Sequence, residues 1–320
     1  MKKYLITGFS GFVGQHFVEY LESCGQDCLV RGLDVHEPYF DFGQFKKVRI
    51  GFETIDLLSK NRVEYIIHEF QPDYIIHLAS FSSVAFSWKE PIASFQNNTN
   101  IYLNLLEAVR KANLPTRILS VGSSEEYGNV NEEELPLREE MPLKPVSPYA
   151  VSRVSQELLS QIYVTGYDLD IIMTRSFNHI GPYQKDIFVI PSFVKQLVQL
   201  KKEGVEPKEL RTGNINVIRD FTDVRDVVSA YYQLLMQGEK GEIYNVCSGK
   251  GWTLQEIIDL VSGMLNIKVR VQPDTTLFRP DDNKIVIGSN EKLKKAIKWE
   301  SRYSLRQSLQ DMIKDWEGRI

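Results

Sequence analysis

Three cysteines in 320 residues, Cys24, Cys28 and Cys247, are too few for a disulfide framework and have no metal-ligand partners at suitable spacing. Reduced, packed thiols in a cytoplasmic protein without a metal centre are the expectation. No apolar run reaches the ~18 residues that a bilayer span needs. The run behind Lys2 and Lys3 is broken at once by glycines and polar residues, and no cleavage-like segment follows it. Basic charge is not in excess either: a net charge of -4 gives no electrostatic footprint for nucleic acid or an anionic membrane surface. Internal repeats and low-complexity tracts are absent. What is present, 42% apolar and 25% charged residues, describes an ordinary globular chain long enough for two domains or one large α/β unit.

The chain is organised around Tyr4 to Gly14, YLITGFSGFVG. A short apolar strand, Tyr4 to Thr7, runs into Gly8, Gly11 and Gly14, and the pattern predicts an amphipathic helix from Phe12 to about Ser23. Without side chains at Gly8 and Gly11 the backbone turns tightly, and a pyrophosphate can approach the amides of Ser10, Phe12 and Val13 where the helix dipole favours anions. Gly14 lets helix and strand pack closely. A second strand, Cys28 to Leu33, ends in Asp34, twenty residues after Gly14, where a carboxylate accepts from both adenosine-ribose hydroxyls. That carboxylate repels a 2′-phosphate unless Arg31 swings in, which favours NAD(H) and leaves NADP(H) as the second choice.

Farther along, Val48 to Ile50 reads as a third strand. Asp56, next to Leu57, either accepts from an adenine amine or caps the helix from about Ser59 to Phe70; the residues leave both open. Asp73 to Ala79 is a buried strand whose last residues, Leu78 and Ala79, suit backbone lying against a cofactor; His77 within it reads as a core side chain. A long helix is expected from Pro91 or Ile92 to about Ala112, with Leu103, Leu106, Ala108 and Val109 inward, then strands from Arg117 to Val121 and from Asp168 to Thr174 around a helix opened by Ser147. Strands alternating with helices at this rate predict an α/β fold, a Rossmann-type doubly wound parallel sheet. Beyond Arg175 the rhythm changes. Asn178 to Pro182 reads as a loop, Phe188 to Lys201 as a helix, Glu242 to Ser248 as a strand of the main sheet, and the remainder as two helical segments. A smaller, discontinuous α/β substrate-binding domain is therefore expected from 181–215 and 251–320, beside a dinucleotide-binding domain from 1–180 and 216–250.

Tyr149 and Arg153 lie four residues apart and share one helix face. Ser123 ends a strand, on the edge where ligands collect in open parallel sheets. A phenol beside a fixed cation is suited to proton transfer at a hydroxyl or carbonyl.

TGFSGFVG, His77-Leu78-Ala79, Asn98, the Ser123 loop and the Tyr149-to-Arg153 spacing resemble the extended short-chain dehydrogenases/reductases over essentially the whole chain. The runs GSSEEYG, RSFNHIGPYQKD, VIRDFTDVRDVVSAY and YNVCSG are similar to the sugar-nucleotide branch that holds GDP-4-keto-6-deoxy-mannose reductases and GDP-mannose 4,6-dehydratases, the reductases more closely. The resemblance implies hydride exchange between a nicotinamide and sugar C4, with Tyr149 as acid/base and Ser123, with Ser124 beside it, at the sugar oxygen. It places Arg153 where the family has a lysine that binds the nicotinamide ribose, and Asn98 at the cofactor. Arg keeps the charge, but its planar fork is no equal of an ammonium. Glu125 stands where dehydratases of this group carry the base that removes the C5 proton. Arg219 and Arg279 are implied as diphosphate ligands, Asn178 as a phosphate or sugar contact, and Asp282 as a ribose ligand within Arg279-Pro-Asp-Asp282. The helices from about Ile92 and Tyr149 are implied as a four-helix homodimer contact. A GDP-linked reductase is the first expectation, a 4,6-dehydratase or epimerase using Glu125 the second, and a non-catalytic dinucleotide-binding regulator the third.

Overall fold

The computed structural model describes residues 1–204, 207–278 and 283–320. The chain starts with β1 (Lys2–Thr7), α1 (Phe12–Ser23), β2 (Cys28–Asp34), β3 (Val48–Thr54), α2 (Lys60–Phe70) and β4 (Tyr74–His77). It continues through α3 (Val84–Lys89), α4 (Pro91–Ala112), β5 (Arg117–Ser123), α5 (Pro148–Tyr167) and β6 (Asp170–Ser176). Then come β7 (Asn178–Ile180), α6 (Val189–Glu203), β8 (Glu209–Thr212), β9 (Ile218–Asp223), α7 (Val224–Gln237) and β10 (Ile243–Val246). The chain finishes with β11 (Gly251–Thr253), α8 (Leu254–Leu265), β12 (Arg270–Pro273), β13 (Ile285–Val286), α9 (Glu291–Ile297) and α10 (Leu305–Arg319).

Seven parallel strands form one sheet in the order β3-β2-β1-β4-β5-β6-β10. These strands are apolar because both faces are covered. On one face α1, α7 and α9 bury Phe17, Leu21, Tyr231, Leu234, Leu293 and Ile297. On the other, α2, α4 and α5 bury Ile66, Ile67, Leu105, Leu106, Val109 and Tyr163. Leu105 has no exposed surface, so truncating it to Ala costs about 2–5 kcal/mol. Strand order reverses beside β1, where β1 pairs with β2 on one side and β4 on the other, which opens a crevice at the carboxyl ends of Thr7, His77 and Ser123.

A four-stranded sheet, β11-β9-β13 with β7 also paired to β9, stands apart from the large one, and β8 pairs with β12. Around them α6, α8 and α10 pack Phe193, Leu197, Ile257, Val261, Leu309 and Trp316. Three acids of the run Ile218 to Asp226 tie this region together. Asp220 accepts from the amides of Ser248, Gly249 and Gly288. Asp223 caps α7 and accepts from Ser308 Oγ at 2.6 Å. Asp226 accepts from the amides of Arg302 and Tyr303.

Several elements differ from the sequence expectation. Residues 178–180, expected in a loop, are a strand, because β9 offers a parallel edge that polar Asn178 and His179 join through their backbone. β3 runs four residues past Ile50, carried by its ladder to β2. Strand β9 pairs in the smaller sheet, whereas α9 packs under the large one. Among the described residues three helices, not two, follow Trp252. Leu103 is only half-buried, and the buried stripe of α4 runs through Tyr102 and Leu105 instead. Short α3 carries no periodic signal and is held by Ser83, whose side chain accepts from the Phe86 amide.

Candidate active site

The glycine turn is pressed against the end of β4. Gly8 has φ +70, and a Cβ there would lie 2.7 Å from the Ala79 amide nitrogen; one at Gly14 would lie 2.3 Å from the Phe9 carbonyl oxygen. Larger residues would push the turn off the strand. Gly11 caps α1 without a side-chain cap hydrogen bond, and no acid stands in the first turn. Gly8, Ser10, Gly11, Phe12, Val13, Asp34, Asp56, Leu57, Leu78 and Ala79 line one cleft of about 1780 Å³. A pocket for a single drug-sized ligand is about 300–1,000 Å³, so this one has room for two. Gly14 does not line it and acts through packing alone.

Asp34 does more than face the cleft. Its carboxylate accepts from the amides of Ser10 at 2.9 Å, Val35 at 2.7 Å and His36 at 3.3 Å, so it anchors the glycine turn to the end of β2. Arg31 lies over the Phe70 ring at 5.3 Å and near Glu53 at 3.8 Å. Asp56 accepts from the Leu58 amide at 2.9 Å, in a turn ahead of α2, and the cap position belongs to Ser59.

The reactive end of the cleft is set by α5. Ser147 accepts from the Ala150 amide and Pro148 fills the first helical position, so the helix starts where Tyr149 and Arg153 face the sheet. Tyr149 is 7% and Arg153 5% exposed, and both line the cleft with Ser123, Ser124 and Glu125. The Arg153 guanidinium carbon sits 5.2 Å from the centre of the Tyr149 ring. It is also tied to protein: Nη1 donates to Gln156 Oε1 at 2.6 Å and to the Val121 carbonyl at 3.3 Å, and Nη2 donates to Ser80 Oγ. Its Nε is buried without a partner. A lysine could not make this fork.

Sequence reasoning missed the residues behind this pair. Gln156 passes the contact on, donating to Ser120 Oγ at 2.9 Å, and stands three residues after Arg153 on the same helix face, a spacing that could have exposed it. Tyr231, with its hydroxyl 2.7 Å from Ser176 Oγ, also lines the cleft. Glu126 is fully buried beside Ser123, and burial raises its carboxyl to about 8. His77 is a core residue as expected: it is hydrogen-bonded to Thr7 Oγ1 at 2.9 Å, and burial lowers its pKa to about 3, so it is neutral. Asn98 is not among the residues that line the cleft. Its side chain clamps the Phe81 backbone, accepting at 2.8 Å and donating at 3.3 Å, and donates to Ser152 Oγ, because its helix faces the turn after β4 from behind.

At the far end, Asn178 and Arg219 line the same cleft. Asn178 Nδ2 reaches the Asp220 carbonyl at 3.5 Å, and Arg219 Nη1 donates to the Ile218 carbonyl at 2.9 Å. Arg279 and Asp282 lie outside the described residues. Among the described residues no group of acids, histidines or cysteines is placed to hold a metal, and no helix is long and apolar enough to cross a membrane.

A Rossmann-type sheet that brings a glycine turn, a strand-end serine and a tyrosine beside a buried cation into one cleft defines an enzyme of the short-chain dehydrogenase/reductase class. The family model for GDP-mannose 4,6 dehydratase matches residues 5–312, and the chain belongs to that family. It is 34% identical over 319 residues to the GDP-6-deoxy-D-mannose reductase of Pseudomonas aeruginosa, covering 100% of this chain and 98% of the relative. It is 28% identical to the GDP-6-deoxy-D-talose 4-dehydrogenase of Aggregatibacter actinomycetemcomitans, covering 98% and 97%. Among solved structures, RMD from Pseudomonas aeruginosa complexed with NADPH superposes with a TM-score of 0.86 at 33% identity over 100% of both chains. The UDP-glucose 4-epimerase of Thermus thermophilus, in complex with NAD, does so with a TM-score of 0.86 at 29% identity, covering 99% and 100%.

Proposed function

We propose that the protein reduces the C4 keto group of a GDP-4-keto-6-deoxy-hexose with a nicotinamide dinucleotide as hydride donor. The full-length likeness to a GDP-6-deoxy-D-mannose reductase carries this reading, supported by Ser123, Tyr149 and Arg153 lining the cleft that the glycine turn opens. The residues present fit the cofactor: uncapped first-turn amides of α1 suit a pyrophosphate, and Asp34 suits ribose hydroxyls. A fixed carboxylate there favours NAD(H), although a solved relative was obtained with NADPH.

When bound, the nicotinamide supplies hydride to the carbonyl carbon. Tyr149 Oη then gives its proton to the C4 oxygen, so the carbonyl gains a hydride and a proton and becomes a secondary alcohol. Ser123 Oγ donates to the same oxygen and fixes its direction. The Arg153 guanidinium over the ring offsets the charge left on Tyr149. We assign the smaller, discontinuous region to the nucleotide sugar, with Asn178, Ser124 and Arg219 as its described ligands and Arg279 and Asp282 as the rest of the set; a guanidinium suits a diphosphate.

Glu125 in the same cleft favours a second reading, a 4,6-dehydratase. Purified protein mixed with GDP-4-keto-6-deoxy-mannose and NADH or NADPH separates the two. Oxidation of the reduced cofactor supports the reductase, whereas conversion of GDP-mannose with no added reductant overturns it. We also propose a homodimer in a reducing, cytoplasmic compartment. Ile92 and Phe95 of α4 and Val151, Leu158 and Ile162 of α5 are exposed on helices that pack together, as a covered dimer face requires.

A further inference from the structure

Glu126 has no place in the mechanism above, yet it is the most deeply buried acid at the reactive end. Its residue has no exposed surface, Oε1 accepts from the Ser123 amide at 2.7 Å, and Oε2 is buried without a partner. The fit is mutual: a Cβ added at Gly122 would lie 2.5 Å from Glu126 Oε1 and 2.5 Å from the Thr174 carbonyl oxygen. Gly122 is thus the space that the carboxyl fills, and the pair closes the turn that carries β5 into Ser123 and Ser124. Ser123 Oγ accepts from the Glu125 amide at 3.3 Å in the same turn, so both the backbone and the side chain of the serine are fixed by it.

We propose that Glu126 is the positioning residue of Ser123, a buried carboxyl that clamps the serine amide and thereby aims its hydroxyl at the reacting oxygen. This rests on the reading that Ser123 acts at that oxygen. The charged groups facing Glu126 are Glu157 and Arg153 of α5 and Arg175 of β6. Glu157 is already paired with Arg175 at 2.8 and 2.9 Å, and Arg153 with neutral acceptors, so the carboxyl meets no dedicated cation. Burial, the largest effect, and the Glu157 charge hold it protonated up to about pH 8. Above that, a buried negative charge beside Ser123 opposes the negative charge that grows on Tyr149 when it gives up its proton.

Three proteins test this: wild type, Glu126→Gln, which keeps an acceptor for the serine amide, and Glu126→Leu, which removes it. With the 4-keto sugar nucleotide at pH 7, Glu126→Leu is expected to lower kcat roughly tenfold with KM changed less than about twofold, because a buried amide is left unpaired. Glu126→Gln is expected to recover most of that loss, and to lack the decline in kcat expected of wild type as the Glu126 carboxyl ionises at alkaline pH. An arm that needs no turnover is the amide proton resonance of Ser123: it should titrate in wild type with a midpoint near 8 and stay flat in Glu126→Gln. A flat wild-type resonance, or an active wild type whose kcat and pH profile both variants share, overturns the proposal. A titrating resonance in a protein that reduces no keto sugar leaves the clamp standing and overturns the functional reading instead.

Discussion

At the glycine-turn end of the cleft, the fixed contacts described above come from one stretch, Gly8 through His36, and mainly from backbone: first-turn amides of α1 and a carboxylate held by three amides. At the reactive end, side chains from β5, α5, β6 and α7 converge and are held by other side chains, from the same helix, across a tight turn or far away in sequence. Arg153 leans on Ser80 and Gln156, Ser176 on Tyr231, and Ser123 on Glu126. A backbone site tolerates changes of side chain but not of shape, whereas a side-chain site responds to the loss of a single functional group.

The largest expected effect follows from that contrast. Tyr149→Phe should lower kcat by about 10²–10⁴-fold, the usual worth of a general acid, while dinucleotide affinity measured by fluorescence stays within a few-fold. An equal loss of both would mean that the two ends are not separate. Arg153→Met should cost roughly a hundredfold in turnover, since it removes the cation over the Tyr149 ring, and Arg153→Lys about tenfold, since it keeps the charge and loses the fork to Gln156, Val121 and Ser80. A Lys variant as poor as Met would show that the fork, not the charge, matters.

On the backbone side, Gly14→Ala should destabilise the protein by about 1–3 kcal/mol in urea unfolding, because its methyl meets the Phe9 carbonyl at 2.3 Å. Asp34→Ser should shift the NADPH-to-NADH ratio of kcat/KM upward by roughly tenfold, the effect of removing one like charge. A further effect is on stability and is read against pH. Glu126 binds its proton more tightly folded, near 8, than its ordinary 4.5, so the folded state holds more protons between these values and wild-type stability falls as pH rises across that window. Glu126→Gln should lack this decline, read as melting temperature against pH.

The same contrast explains what the sequence revealed. Gly8, Gly11, Gly14 and Asp34 were legible because strand, turn and helix follow one another and their chemistry is local. Tyr149 and Arg153 were paired by helical spacing, and their role came from the glycine turn and the family resemblance. Of their supports only Gln156 shares that spacing: Ser80 and Tyr231 matter only once β4, α5 and α7 pack together, and Glu126 reads as one more acid in an acidic loop until its neighbour Gly122 is seen to make room for it. Asn98 was expected at the cofactor and has partners that its place in the sequence did not show. Its place on α4 resembles a cofactor contact, but tertiary packing turns its amide onto the Phe81 backbone. The strand β7 was hidden because its pairing depends on β9, some forty residues later.

The central claim is tested most directly by following one hydrogen. Protein incubated with GDP-4-keto-6-deoxy-mannose and a nicotinamide dinucleotide deuterated at the transferable position should place deuterium on sugar C4, seen by mass spectrometry and proton resonance, and Tyr149→Phe should place almost none. Deuterium that stays on the nicotinamide while GDP-mannose loses water would contradict the account.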